Sequence, residues 1–198
     1  MWVRIIAGEF KGRRLATVPG RTTRPLLARV REAVFNVLGD RVEGAEVWDL
    51  FAGTGASGIE CLSRGAARVV FVEKARAALS VLRSNLERLG LGGSRGRRHV
   101  LVAGDAWEPG PIPRPGGGLD GPETPPELVL LDPPYAAVRQ DRERALESLD
   151  RLKRRLSPDG VLVFHYCPGL FGAGELEALG RARLRRWGSS EVAFLERS

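Results

Sequence analysis

The chain has 198 residues, 43% of them apolar and 28% charged, with a net charge of +7. That length suits one full α/β core with a small appendage, and no apolar run is long enough to span a bilayer. Cysteine and histidine number two each, too few and too scattered for a disulfide framework, and no metal site is expected. Cys61 reads as a small buried hydrophobe in a helix, and His99 and His165 as packing or surface residues. Met1-Trp2-Val3-Arg4 does not open a secretory signal, so a cytoplasmic protein, by default a monomer, is expected.

Residues 1–31 hold eight basic side chains against Glu9 alone, which places the whole net charge in the first sixth of the chain. Such polarity favours a polyanion bound through its phosphates, with affinity that falls as salt rises. The competing reading is a basic arm that serves solubility alone. Residues 3–6 and 13–15 flank a turn region with Gly8 and Gly12 and predict a small hairpin. Residues 21–24 read as a loop. A helix is predicted from Pro25, with Val30, Val34, Val37 and Leu38 on one stripe and Gly39 as its stop. Residues 1–40 thus form a basic appendage leading into a main domain, 41–198.

In the main domain strands and helices alternate. Strands are predicted at 46–51, 68–73, 99–102, 128–131 and 160–166, with helices through Ile59 and Leu62, from Ala78 to Leu89, and from Ala145 to Leu156. A short helix near 175–179 precedes two strands near 183–187 and 191–196, which read as a hairpin. Alternating units of this kind imply a mostly parallel sheet with helices on both faces. Residues 109–126 are dense in Pro and Gly and read as a mobile surface loop at the lip of the site, either a substrate lid or an inert insertion.

Asp49-Leu50-Phe51-Ala52-Gly53-Thr54-Gly55-Ala56-Ser57-Gly58 places G-x-G-x-x-G between a predicted strand and a predicted helix. By itself the pattern also fits nicotinamide or flavin binding. Asp49, ending the strand before the glycines, suits a cationic amino acid moiety better than a pyrophosphate. Glu73, ending the second strand, is placed to accept hydrogen bonds from two ribose hydroxyls. Asp105, after the third strand, could read an adenine amino group. Amino acid, ribose and adenine together make S-adenosylmethionine. For Asp49 and Glu73 the competing reading is a helix cap or surface charge, and for Asp105 the two readings stay open.

The apolar run 128–131 ends in Asp132-Pro133-Pro134-Tyr135. Two prolines cannot continue a strand, so the chain turns there and leaves a carboxylate, a carbonyl and an aromatic ring at the sheet edge where ligands bind. The tetrapeptide resembles the D/N-P-P-Y/F motif of methyltransferases that modify exocyclic amino groups of nucleic-acid bases. With Asp49–Gly58, Glu73 and Asp105 it looks like the ordered motifs of class I S-adenosylmethionine-dependent methyltransferases. Arg4-Ile5-Ile6-Ala7-Gly8, Lys11-Gly12-Arg13-Arg14-Leu15, Arg24-Pro25 and Arg29-Val30-Arg31-Glu32-Ala33-Val34-Phe35-Asn36 narrow the resemblance to the RsmD family, across nearly the full length. Leu26, Leu27 and Ala28 depart from that family's pattern of small hydroxylated residues and an Asp.

The resemblance implies a Rossmann-like fold with a seven-stranded sheet and a C-terminal antiparallel hairpin, and methylation of N2 of a guanine in 16S ribosomal RNA. It implies cofactor contacts from Asp49, Phe51, Ala52, Gly53, Thr54, Gly55, Glu73, Lys74, Asp105, Ala106 and Asp132. Catalysis would fall to Asp132, Pro133 and Tyr135, and RNA phosphates to Arg4, Lys11, Arg13, Arg14, Arg24, Arg29 and Arg31. The alternatives are an amino-group methyltransferase acting on adenine or cytosine in DNA or another RNA, a catalytically silent RNA-binding module of the same fold, and a nicotinamide oxidoreductase.

Overall fold

The computed structural model describes residues 2–18, 25–92, 98–112 and 124–197. Arg24 and the rest of the 21–24 loop lie outside the described residues, as do the central positions 113–123 of the Pro/Gly-rich stretch.

Strands β1 (Trp2–Arg4) and β2 (Arg14–Ala16) pair antiparallel as the predicted hairpin, and α1 (Pro25–Leu38) follows. Gly39 takes a φ of 53°, which ends the helix in a short 3₁₀ turn over Gly39–Val42. The main sheet holds β3 (Glu46–Leu50), β4 (Arg68–Glu73), β5 (His99–Ala103), β6 (Leu128–Leu131), β7 (Val161–Tyr166), β8 (Ala182–Trp187) and β9 (Ser190–Glu196). Between them run α2 (Ala56–Ser63), α3 (Arg76–Arg88), α4 (Tyr135–Gln140), α5 (Arg142–Arg155) and α6 (Ala173–Glu177). The strand order is β5-β4-β3-β6-β7-β9-β8; β3 to β7 run parallel and β9 is antiparallel to both neighbours. The seven-stranded sheet and its closing hairpin are therefore as the sequence implied.

Strands β3, β4, β6 and β7 are buried along their whole length, which is why they read as continuous apolar runs rather than alternating ones. Alternate side chains feed two apolar layers. One holds Val47, Phe71, Leu128 and Val163 against α1, α2 and α3. The other holds Trp48, Val70, Val129, Leu162 and Phe164 against α5, Trp107 and Phe171. No helix among the described residues is long and apolar enough to cross a membrane.

Local differences from the sequence reading have physical causes. Strand β3 stops at Leu50, one residue before the expected end, because Phe51 turns into the left-handed region at φ 60°. The helix α4 was not expected. Pro134 precedes its first turn, where the missing N–H costs nothing, so the prolines that stop the strand also start a helix. The flanks of the Pro/Gly-rich stretch are anchored rather than mobile: Ile112 is buried, and Arg155 donates to Pro109 O at 2.8 Å and Gly110 O at 3.3 Å.

The basic appendage shares the main core instead of hanging from it. Ile5, Phe10, Leu15, Val34 and Phe35 belong to the same apolar layer as α2 and β4. Polar clamps reinforce the joint. Buried Glu60 accepts the Ile6 and Ala7 amides at 2.8 and 3.0 Å and Arg64 Nε at 2.9 Å. Ser63 Oγ accepts the Phe10 amide at 2.9 Å, and Asn85 exchanges hydrogen bonds with Ala16 at 2.8 and 3.0 Å. Gly8 lies so close to the end of α2 that a Cβ would fall 1.7 Å from Ser63 O.

Candidate active site

Strand order reverses beside β3, since the chain places β4 on one side of it and β6 on the other. At such a point the loops leaving neighbouring strands part and open a crevice. A cavity of about 640 Å³ lies there, lined by Asp49, Phe51–Thr54, Glu73, Lys74, Trp107, Asp132–Tyr135, His165 and Ser190 among others.

Asp49 stands at its base, 3% exposed, and its Oδ2 accepts the Gly58 amide at 2.8 Å. Burial pushes its carboxyl up to about 7, against the pull of the Gly58 N–H, and the nearby Asp132 and Glu73 charges push the same way. Position 58 must be glycine, because a Cβ there would come within 2.3 Å of Phe71 Cε1 and 2.8 Å of Asp49 Oδ2. Glu73 accepts the Gly53 amide at 2.9 Å through Oε2 and the Ala75 amide at 2.8 Å through Oε1. It thereby ties the glycine turn to the start of α3. Both carboxylates thus cap backbone amides while also lining the cavity. Phe51 packs edge-on to Trp107, with centroids 4.9 Å apart, and together they form an aromatic wall.

Three residues expected at the cofactor do not line this cavity. A Cβ on Gly55 would meet Leu82 Cδ1 at 2.2 Å, so its role is close packing of the turn onto α3. Ala106 is buried in the apolar layer. Asp105 accepts the Trp107 amide at 3.0 Å and pairs with Arg144 Nη2 at 3.0 Å, a partner that comes from α5 and is invisible to local sequence. Trp107, not anticipated, takes the place on the cavity wall.

Asp132 follows β6 with its side chain 56% exposed. Its Oδ1 accepts a hydrogen bond from His165 Nδ1 at 2.7 Å. His165 Nε2 lies 2.9 Å from the Tyr135 hydroxyl, which in turn lies 3.1 Å from Ser190 Oγ. The expectation of a bland role for His165 is corrected here: β7 delivers it to the same sheet edge as Asp132. Its signal in the sequence is positional, since it closes an apolar run as Asp132 does. Ser190, the first residue of β9, gives no such signal.

A second chamber of about 530 Å³ adjoins the first and shares Thr54, Ala56, Ser57, Asp132 and His165 with it. Its other walls come from the appendage, through Trp2, Arg4, Arg29, Val30, Arg31 and Phe35 among others, and from the sheet, through Leu130, Leu131 and Val163. Arg4, Lys11, Arg13, Arg14 and Arg29 are exposed. Arg13 donates to Arg88 O at 2.7 Å, and the Arg14 guanidinium lies 4.2 Å from the ring of Trp2, itself 47% exposed. Arg31 is turned inward, with Nη2 donating to Arg4 O at 2.7 Å. Burial lowers its pKa from the usual guanidinium range while Glu60 raises it. Arg31 therefore braces the hairpin while also lining the second chamber. Among the described residues no group of His, Cys, Asp and Glu could hold a metal ion.

The profile of the family described as conserved hypothetical protein 95 matches residues 3–196. YlbH of Bacillus subtilis (strain 168), a proposed rRNA methyltransferase, is 35% identical over 161 residues, which make 81% of this chain and 80% of that protein. Ribosomal RNA small subunit methyltransferase D of Escherichia coli (strain K12) is 36% identical over 133 residues, 67% of this chain but only 60% of its own length. A solved structure of yhhF from Escherichia coli, a proposed methyltransferase, superposes over 100% of both chains with a TM-score of 0.72 and 27% identity.

Proposed function

This chain belongs to the conserved hypothetical protein 95 family, the family of the RsmD methyltransferases, and on that premise we propose that it transfers a methyl group from S-adenosylmethionine to N2 of a guanine in 16S ribosomal RNA. The observation that carries the proposal is the position of Asp132. It stands where the carboxylate-lined cavity meets the chamber walled by the basic appendage.

The first cavity suits a cation with amino and hydroxyl groups. Asp49, Glu73 and Asp132 line it against Lys74 alone, a balance that would repel the pyrophosphate of a nicotinamide dinucleotide. Asp49 would hold the amino acid moiety, Glu73 the ribose, and Phe51 with Trp107 the adenine. The bound cofactor supplies a methyl group on a cationic sulfur, which keeps the bonding pair when the methyl leaves.

An exocyclic amine is a poor nucleophile because its lone pair is delocalised into the base. Asp132 and the Pro133 carbonyl accept its two hydrogens, which favours a pyramidal nitrogen with its lone pair aimed across the junction. The nitrogen gains the methyl and sheds one proton to the Asp132 carboxylate, which releases it to water. The Tyr135 ring offers a stacking surface for a base taken out of its helix. Residues 1–40 would act as the RNA-docking part, with Arg4, Lys11, Arg13, Arg14, Arg24 and Arg29 meeting phosphates and the exposed Trp2 ring available to an unpaired base.

The test is incubation with labelled cofactor and ribosomal RNA from cells lacking this modification, followed by mass identification of the labelled nucleoside. N2-methylguanosine is expected. A methylated adenine or cytosine, or no transfer to RNA, would reject the assignment.

A further inference from the structure

We propose that His165 is a positioning residue that fixes the Asp132 carboxylate for the substrate amine, and that Tyr135 and Ser190 fix His165 in turn. The inference rests on the reading of Asp132 given above and goes beyond it.

Chemistry sets the direction of the chain. An ionised Asp132 has no hydrogen, so at the 2.7 Å contact the proton must sit on His165 Nδ1. A neutral imidazole with its proton on Nδ1 is an acceptor at Nε2, and the Tyr135 O–H, 2.9 Å away, donates to it. The Tyr135 oxygen is then an acceptor for the Ser190 hydroxyl at 3.1 Å. Every hydrogen in the series points toward Asp132. The backbone of His165 is held by the register of β7, and its side chain is only 10% exposed, so the ring cannot turn away.

Asp132 has no such restraint of its own. Its side chain is 56% exposed, and it follows the last residue of β6, ahead of the prolines. Left alone it would sample several rotamers, and the amine would meet a moving acceptor. The Nδ1 hydrogen bond tethers Oδ1 and leaves Oδ2 to the junction of cavity and chamber. Misplacing an acceptor by about 1 Å can cost on the order of 100-fold in rate, which is the scale of effect this arrangement controls. The same series holds the Tyr135 ring in place, so one histidine aligns both groups that would touch the base.

The discriminating experiment replaces His165 by alanine, asparagine and glutamine, and measures turnover on RNA, RNA affinity and cofactor affinity for each. An asparagine amide places an N–H close to the position of Nδ1, whereas a glutamine amide reaches the position of Nε2 and leaves Asp132 without its donor. H165A is expected to lose about 10- to 100-fold in kcat, with both affinities within about twofold of the wild type. H165N should recover most of that loss and H165Q little of it. Equal recovery by the two amides, or full turnover in H165A, would overturn the inference. Thermal melts of the near-isosteric amide variants identify any loss due to unfolding, and amide variants that fold equally well but stay equally inactive would overturn it too. A wild type that does not methylate RNA would instead sink the reading of the site on which this rests.

Discussion

Replacing Asp49 by asparagine isolates the group that the fold has perturbed most usefully. Burial holds its carboxyl at about 7 instead of the ordinary 3.8. At pH 5.5 only about 3% of such a group is ionised, and at pH 7.0 about half. If the ionised form receives the cationic amino acid end of the cofactor, affinity should rise about fifteenfold across that interval, or about 1.6 kcal/mol. Below pH 7 the cofactor's own α-amino group, with a pKa of about 8, stays charged and does not confuse the slope. Calorimetric titration at a series of pH values would show the rise, together with release of about half a proton per cofactor bound at pH 7. Asp49→Asn should bind more weakly at pH 7 and show no slope. The same group has a consequence for the unliganded fold. Because its folded pKa is raised, the folded state holds the proton more tightly than the unfolded one. Its contribution to stability is therefore fully present below pH 4 and is lost as pH rises toward 7, by about 4 kcal/mol at most. Asp49→Asn should remove that decline. A wild-type affinity that is flat from pH 5.5 to 7.0, or an asparagine variant that keeps the slope, would refute the reasoning.

Three further outcomes are expected. Asp132→Ala should leave cofactor affinity within about threefold in equilibrium dialysis while methyl transfer falls on the order of 1,000-fold, and near-normal turnover would rule out its role. Reversing both charges at Arg13 and Arg14 to Glu should weaken RNA binding and make the slope of log affinity against log salt shallower by about 2, so an unchanged slope would reject the hairpin as a docking surface. Glu60→Ala strands the Ile6 and Ala7 amides and Arg64 together. It should cost about 3–5 kcal/mol in denaturant unfolding and lower the melting temperature by about 10 °C, and a loss below about 1 kcal/mol would show that the appendage is held by apolar packing alone.

The balance between Glu60 and Glu73 shows how differently the two layers of information behave. Glu73 closes an apolar strand ahead of a helix, so its place on the cavity follows from local pattern. Glu60 sits in the middle of α2, where any charged residue would read as solvent-facing, yet it is fully buried because the appendage brings two backbone amides to it. The same distinction applies to Arg31. Its charge counts toward an RNA surface from the sequence, whereas its bond to the carbonyl of Arg4 is visible only in the fold.

Chain order alone determined the strands, the glycine turn and the proline stop after β6, because each depends on neighbours within a few residues: apolar runs, positive φ, and a ring that cannot donate. From those followed one sheet edge carrying Asp49, Glu73 and Asp132. The tertiary structure decided which side chains meet across that edge. His165 reaches Asp132 from 33 residues away and Ser190 reaches Tyr135 from 55, while Arg144 reaches Asp105 from 39. Such pairings depend on strand register and on how α5 lies against the sheet, and no local propensity encodes a distance in space.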